Sequence, residues 1–264
     1  MLILLLAACH TDKQAPPAQA KNGTTPLPAA LQVLSAAVHQ HPDSTALRWQ
    51  YLNALDSIGL HREALQEVNK LLLHDSLNFE CWYRKGDIQQ VLGDTSGALQ
   101  SYRYAIRIYP SPDAMLSAAN LFAEKKNPLA LRICDQLVQE KPGREYLAHC
   151  AFITGVYYAR TGQRQAANAA FDKCLMNDLY YAEAYMEKGF LLTDAGNYAA
   201  ALKVFQTLVT LKNNYADGYY WVAKCQEKLQ HQAAAIAAYR QSLALDPGLR
   251  EAGIALQRLG ANEK

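Results

Sequence analysis

Apolar and polar positions along this chain follow a helical period, and one short pattern of small and bulky residues returns at near-constant spacing. Ala30, Ala64, Ala98, Ala130, Ala167, Ala201 and Ala235 are separated by 34, 34, 32, 37, 34 and 34 residues. Four residues after each stands a bulkier side chain: Leu34, Val68, Tyr102, Cys134, Phe171, Phe205 and Tyr239. One helical turn separates the two positions, so they share a face. Twelve residues before the alanine a glycine recurs at Gly86, Gly155 and Gly189, replaced by Leu52 and Ala223 in two other copies and by Asn120, ten residues before Ala130, in the shortened third copy. Side chains as small as glycine let two helices approach closely. Five residues before the alanine, Gly59, Gly93, Gly162 and Gly196 mark places where a helix ends in a left-handed turn. Pro42, Ser76, Pro110, Pro142, Leu179, Asn213 and Pro247 close the units. The pattern predicts helix, tight turn, helix, break, and a fixed period of this size is the mark of a solenoid.

These slots resemble the tetratricopeptide repeat, whose pattern runs Trp, Leu-Gly, Tyr, then Ala, Phe and Pro at the same offsets. Trp82 with Gly86, Gly155 with Tyr158, and Tyr185 with Gly189 match individual slots. The resemblance covers roughly residues 27 to 250 and implies an all-α fold: a right-handed superhelix of about six helix-turn-helix repeats. The units are expected at about 45–78, 79–112, 113–144, 148–181, 182–215 and 216–249. An N-terminal half repeat is expected over Leu27 to His41, with Ala30, Leu34 and Ala37 in second-helix slots. A capping helix over 250–260, carrying Ile254 and Leu259, should cover the last repeat, whose outer face would otherwise be exposed.

The third unit is irregular. It is short between its helices at Lys125-Lys126-Asn127-Pro128, and the junction after it, near Gly143 to Leu147, is longer. Asn127 can cap the second helix with Pro128 at its first position. A kink is expected near residues 142–147.

The ends differ from the body. Residues 1–9 form an apolar segment ending Leu6-Ala7-Ala8-Cys9, similar to a bacterial lipobox. That family resemblance implies cleavage before Cys9 and acylation of its thiol and new amino group. The run is too short to span a bilayer. Residues 10–26 are polar, rich in Pro, Ala, Gln and Thr, and hold no aromatic residue, so they read as a flexible tether between anchor and the solenoid of 27–264. By resemblance to the enteric sorting rule, His10 in place of Asp favours the outer membrane. If the segment is not a signal, the chain is cytoplasmic.

Charge excludes one class of partner. With 26 basic and 24 acidic residues interspersed, there is no basic stripe of the kind nucleic acid requires. Cys81, Cys134, Cys150, Cys174 and Cys225 show no zinc spacing and read as small buried residues, with a disulfide from Cys150 to Cys134 or Cys174 left open. His39 and His41 lie two apart, where helical side chains diverge, so no metal site is expected. No nucleophile elbow, phosphate loop or zinc-protease motif occurs, and neither enzymatic activity, cofactor nor small-molecule substrate is expected.

In proteins of the resembled family the first helices line a concave binding face. Its columns here are Trp49 and Asn53; Tyr83, Arg84 and Asp87; Ser117 and Leu121; Phe152 and Val156; Met186, Glu187 and Phe190; and Tyr220, Trp221 and Lys224. Aromatic residues beside arginine are the composition of interaction hot spots. Asn53 and Arg84 are the only fragments of the carboxylate clamp found in chaperone-binding relatives, so an apolar or aromatic protein segment is the expected ligand. The expected role is an anchored envelope scaffold, adaptor-like or pilotin-like. The rival is a glycan-binding lipoprotein that stacks sugars on the same aromatic residues.

Overall fold

The computed structural model describes residues 28–140 and 143–261. Cys9, the tether and Pro142 lie outside them. Fourteen helices follow one another with no strand among the described residues. In chain order they are α1 (Ala29–Gln40), α2 (Thr45–Ser57), α3 (His61–His74), α4 (Phe79–Val91), α5 (Thr95–Ile108), α6 (Pro112–Glu124), α7 (Leu129–Gln139) and α8 (Arg144–Arg160). Then come α9 (Arg164–Asn177), α10 (Ala182–Asp194), α11 (Tyr198–Leu211), α12 (Ala216–Lys228), α13 (Gln232–Leu245) and α14 (Arg250–Arg258). The chain falls into two compact units, residues 1–114 and 115–264.

The small-to-bulky rule has a direct physical basis. A Cβ added to Gly86 would lie 2.5 Å from the ring of Tyr102, and one on Gly155 would lie 2.5 Å from that of Phe171. At Gly189 the ring of Phe205 is closer still. Each aromatic ring thus rests on the backbone of the partner helix. The six repeat alanines from Ala64 to Ala235 are fully buried, as are Tyr102, Phe171, Phe205 and Tyr239. In the first unit Leu52, Leu55, Val68, Leu71 and Ile88 join this core. In the second, Phe205, Leu208 and Val222 form one cluster, and Ala223, Tyr239 and Leu256 another.

Turns and breaks use two devices. Gly59, Gly93, Gly162 and Gly196 adopt φ of 73° to 82° between the helices of a pair. Gln230 (φ 65°) and Lys126 (φ 57°) do the same work with a side chain attached. Left-handed backbone costs a non-glycine residue about 1 kcal/mol. Gln230→Gly is therefore expected to raise stability by up to about 1 kcal/mol, read as a higher urea midpoint; an unchanged or lower midpoint would contradict this. At three breaks an aspartate folds back on the chain. Asp75 accepts from the Leu77 amide at 3.0 Å, Asp178 from Tyr180 at 2.9 Å and Asp246 from Gly248 at 2.8 Å.

Two positions depart from expectation. Ala30 is exposed, and α1 instead buries Leu31 and Val38. Among the described residues α1 packs against α2, and larger residues face it. Ile254 is 63% exposed, and α14 covers the end of α13 with Ala252, Ala255 and Leu256. In the longer junction, residues 144–147 form the first turn of α8, which runs to 17 residues. At the short turn the Leu129 amide donates to Asn127 Oδ1 at 3.0 Å, and Pro128 has φ −65°, a helical value.

Candidate functional site

In the first unit, α2 and α4 enclose an open groove of about 490 Å³. Trp49 and Asn53 line it from α2, and Glu80, Tyr83, Arg84 and Asp87 from α4. Helical spacing explains the set. Trp49 and Asn53 are four residues apart, as are Glu80 and Arg84, and Tyr83 and Asp87, so each pair stacks on one helix face. Asn78 starts α4 by accepting from the Cys81 amide at 3.0 Å, which fixes where that face begins.

The walls are held in place from behind. The Tyr83 ring stacks on Phe79 at 6.0 Å and tilts against Tyr102 at 5.9 Å. Arg84 bonds Asp56 Oδ2 at 2.8 Å, while the other oxygen of Asp56 meets His61 Nδ1 at 2.8 Å. Arg84 Nε is buried with no hydrogen-bond partner. Asp87 accepts from the Tyr102 hydroxyl at 2.8 Å and forms no ion pair among the described residues. Burial pushes its carboxyl up to about 6, against the pull of the Tyr102 hydroxyl and of Arg84.

That shift has a sign. A carboxyl that keeps its proton to higher pH in the native state than in the unfolded chain binds more protons when folded. Stability then falls as pH rises from about 4 to about 6, by about 3 kcal/mol in all, and the penalty stays in place above. Asp87→Asn keeps the acceptor for Tyr102 and removes the charge. It is expected to be more stable than the parent at pH 7.5 and equal to it at pH 3.5, by urea unfolding. An equal offset at both pH values would show that the carboxyl charge is not the cause.

In the second unit the columns divide. Phe152 and Met186 are buried, at 2% and 1% exposure, and offer no surface to a partner. Phe152 is covered by Tyr181 at 5.0 Å and Phe171 at 5.8 Å. Met186 belongs to the cluster of Phe205, Leu208 and Val222. Ser117, Leu121 and Val156 are buried as well. Glu187 is buried and bound by Arg160 at 2.9 and 3.0 Å. Phe190, Tyr220, Trp221 and Lys224 remain partly exposed and do come together. Trp221 meets Phe190 at 4.7 Å and Tyr220 at 5.8 Å, and Lys224 stands over both the Tyr220 and Trp221 rings.

Sequence reading missed Glu80, Asp56 and His61. Glu80 was legible, since it precedes Tyr83 and Arg84 by one helical turn. Asp56 and His61 flank a turn and carry no such signal. The five cysteines among the described residues, Cys81, Cys134, Cys150, Cys174 and Cys225, are buried free thiols. Among the described residues no helix is long and apolar enough to cross a membrane, and no group of three or more ligating side chains could hold a metal.

Comparison with known proteins adds the repeat family. Residues 79–112 match one tetratricopeptide repeat model, and residues 154–216 and 191–250 match another. No curated protein matches the chain. Among solved structures, a tetratricopeptide repeat protein from Parabacteroides merdae ATCC 43184 shares 18% identity over 88% of this chain and 91% of its own, with a TM-score of 0.71. PilW, described as a widely conserved type IV pilus biogenesis factor, shares 19% identity over 87% and 99%, with a TM-score of 0.62. MamA residues 41 to end, from Desulfovibrio magneticus RS-1, shares 20% over 63% and 94%, with a TM-score of 0.53. At these identities the likeness is one of fold alone.

Proposed function

We propose that this chain, which carries tetratricopeptide repeats at residues 79–112 and 154–250, is a non-enzymatic scaffold that binds segments of partner proteins. The observation that supports this reading is the groove on α2 and α4, where Trp49, Asn53, Tyr83, Arg84 and Asp87 from two separate columns meet. Trp49 and Tyr83 also pack toward the core, so their loss would confound binding with stability. Exposed Asn53 is the better probe.

A photo-crosslinking amino acid at Asn53 is expected to trap a defined partner from envelope extract, whereas the same group at exposed Arg62 on α3 should trap none. Glu80→Ala in the Asn53 crosslinking protein is expected to abolish the product without lowering the unfolding midpoint. Equal products at both positions, or none at either, would sink the proposal.

The envelope setting is a further part of the proposal, and the apolar segment ending at Cys9 supports it. A Cys9→Ser protein is expected to move from the membrane fraction to the soluble one; persistence in the membrane would exclude a lipid anchor at this residue. A pilotin-like or adaptor role would be a form of this anchored scaffold.

A further inference from the structure

The groove on α2 and α4 has an uncompensated charge. Arg84 is the single cation in its lining, and its guanidinium is already held by Asp56 at 2.8 Å. That pair is neutral as a whole. Glu80 and Asp87 are left over, the first exposed and the second half-buried with the Tyr102 hydroxyl as its hydrogen-bond donor. Arg84 offsets part of the charge on Asp87 but forms its ion pair with Asp56, and a half-buried carboxylate with no ion-pair contact of its own gains when a positive group arrives. Beside the two carboxylates stand the rings of Trp49 and Tyr83, and the Tyr83 ring is fixed by Phe79 and Tyr102.

Carboxylates next to fixed aromatic faces form a site for one kind of side chain. A guanidinium is planar, stacks on rings, and offers paired donors to a carboxylate; an ammonium is a compact and strongly hydrated point charge. We propose that the groove recognises its partner segment through one arginine, whose guanidinium lies against the Trp49 and Tyr83 rings and donates to Asp87 and Glu80. The inference rests on the scaffold reading above and gives the groove its ligand chemistry. A carboxylate-bearing segment is disfavoured because the one arginine of the lining is engaged and two carboxylates would face the newcomer.

The test uses the isotope-labelled full chain and two short peptides. One is acetyl-Gly-Ala-Arg-Ala-Gly-amide; the other carries citrulline, which keeps the shape of arginine without its charge. The arginine peptide is expected to shift the Trp49 indole N–H resonance, assigned with Trp49→Phe, in a saturable manner. The citrulline peptide is expected to bind at least tenfold more weakly. Asp87→Asn in the protein is expected to cost the arginine peptide at least tenfold in affinity while its unfolding midpoint does not fall. Equal binding of the two peptides overturns the proposal, and so does an Asp87→Asn protein that binds the arginine peptide like the parent. If a partner crosslinks through position 53 while the arginine peptide leaves the Trp49 signal unmoved, the arginine assignment falls and the scaffold reading stands. If the peptide binds as expected but no partner crosslinks, the groove chemistry is upheld and the scaffold reading falls.

Discussion

Arg160→Ala is expected to destabilise the second unit by about 3 to 5 kcal/mol, because it leaves a buried carboxylate without its cation. Arg160 closes α8 and donates to two glutamates at once. It reaches Glu187 on α10 at 2.9 and 3.0 Å and Glu124 on α6 at 2.8 and 3.0 Å. Burial works against its charge, but the bonds to Glu187 and Glu124 outweigh that, and the guanidinium is held protonated beyond its ordinary range. The two partners are unequal. Glu124 keeps a side-chain exposure of 37% and can turn to water, whereas Glu187 at 7% cannot. Most of the loss should therefore come from Glu187, and pairing Arg160→Met with Glu187→Leu should recover most of it. Urea unfolding of the parent, the single variant and the double variant measures this. A single-variant loss below about 1 kcal/mol would mean that the clamp carries no more than a surface pair does.

Gly189→Ala is the second large expected effect, a loss of about 2 to 3 kcal/mol from a single methyl group. The ring of Phe205 occupies the place where that methyl would go, and Phe205 is fully buried, so ring or helix must shift. Gly93→Ala is a fair control. It meets nothing within 4 Å, and its cost comes from a φ of 79° alone, about 1 kcal/mol. Phe205→Leu should relieve part of the Gly189→Ala loss by shortening the obstructing side chain. A Gly189→Ala protein as stable as the parent would show that close approach is not what the glycine provides. The last pair sharpens the point. Ala223 stands opposite Tyr239 there, so a methyl is accommodated when the whole pair is set for it.

The helix pairs were legible because each slot reports a contact within one pair. Gly86, Ala98 and Tyr102 name a single packing event between positions sixteen apart, and its recurrence exposes it. The exposure of the binding columns was less legible, because it depends on what the next pair places over them. Phe152 looks like a surface aromatic until Tyr181, the residue that opens α10, is known to cover it. The register of α1 was misread for a related reason. Its contact face is set by α2, against which Leu31 and Val38 are buried, and the small-residue slot of the later helix pairs does not transfer to it. The aspartate turns carried a signal that went unused: Asp75, Asp178 and Asp246 each stand immediately before a break position. The charge balance of the groove could not be read at all from the columns, since Asp56 and His61 lie beyond them.

Lys224 sets the two aromatic surfaces apart in what they admit. It already stands over Tyr220 and Trp221, so the ring faces of the second unit hold a cation supplied by their own helix. A positively charged segment arriving there would first have to displace it, whereas an acidic one would meet it head on. The proposed arginine site in the first unit and this self-occupied surface in the second would therefore select segments of different charge.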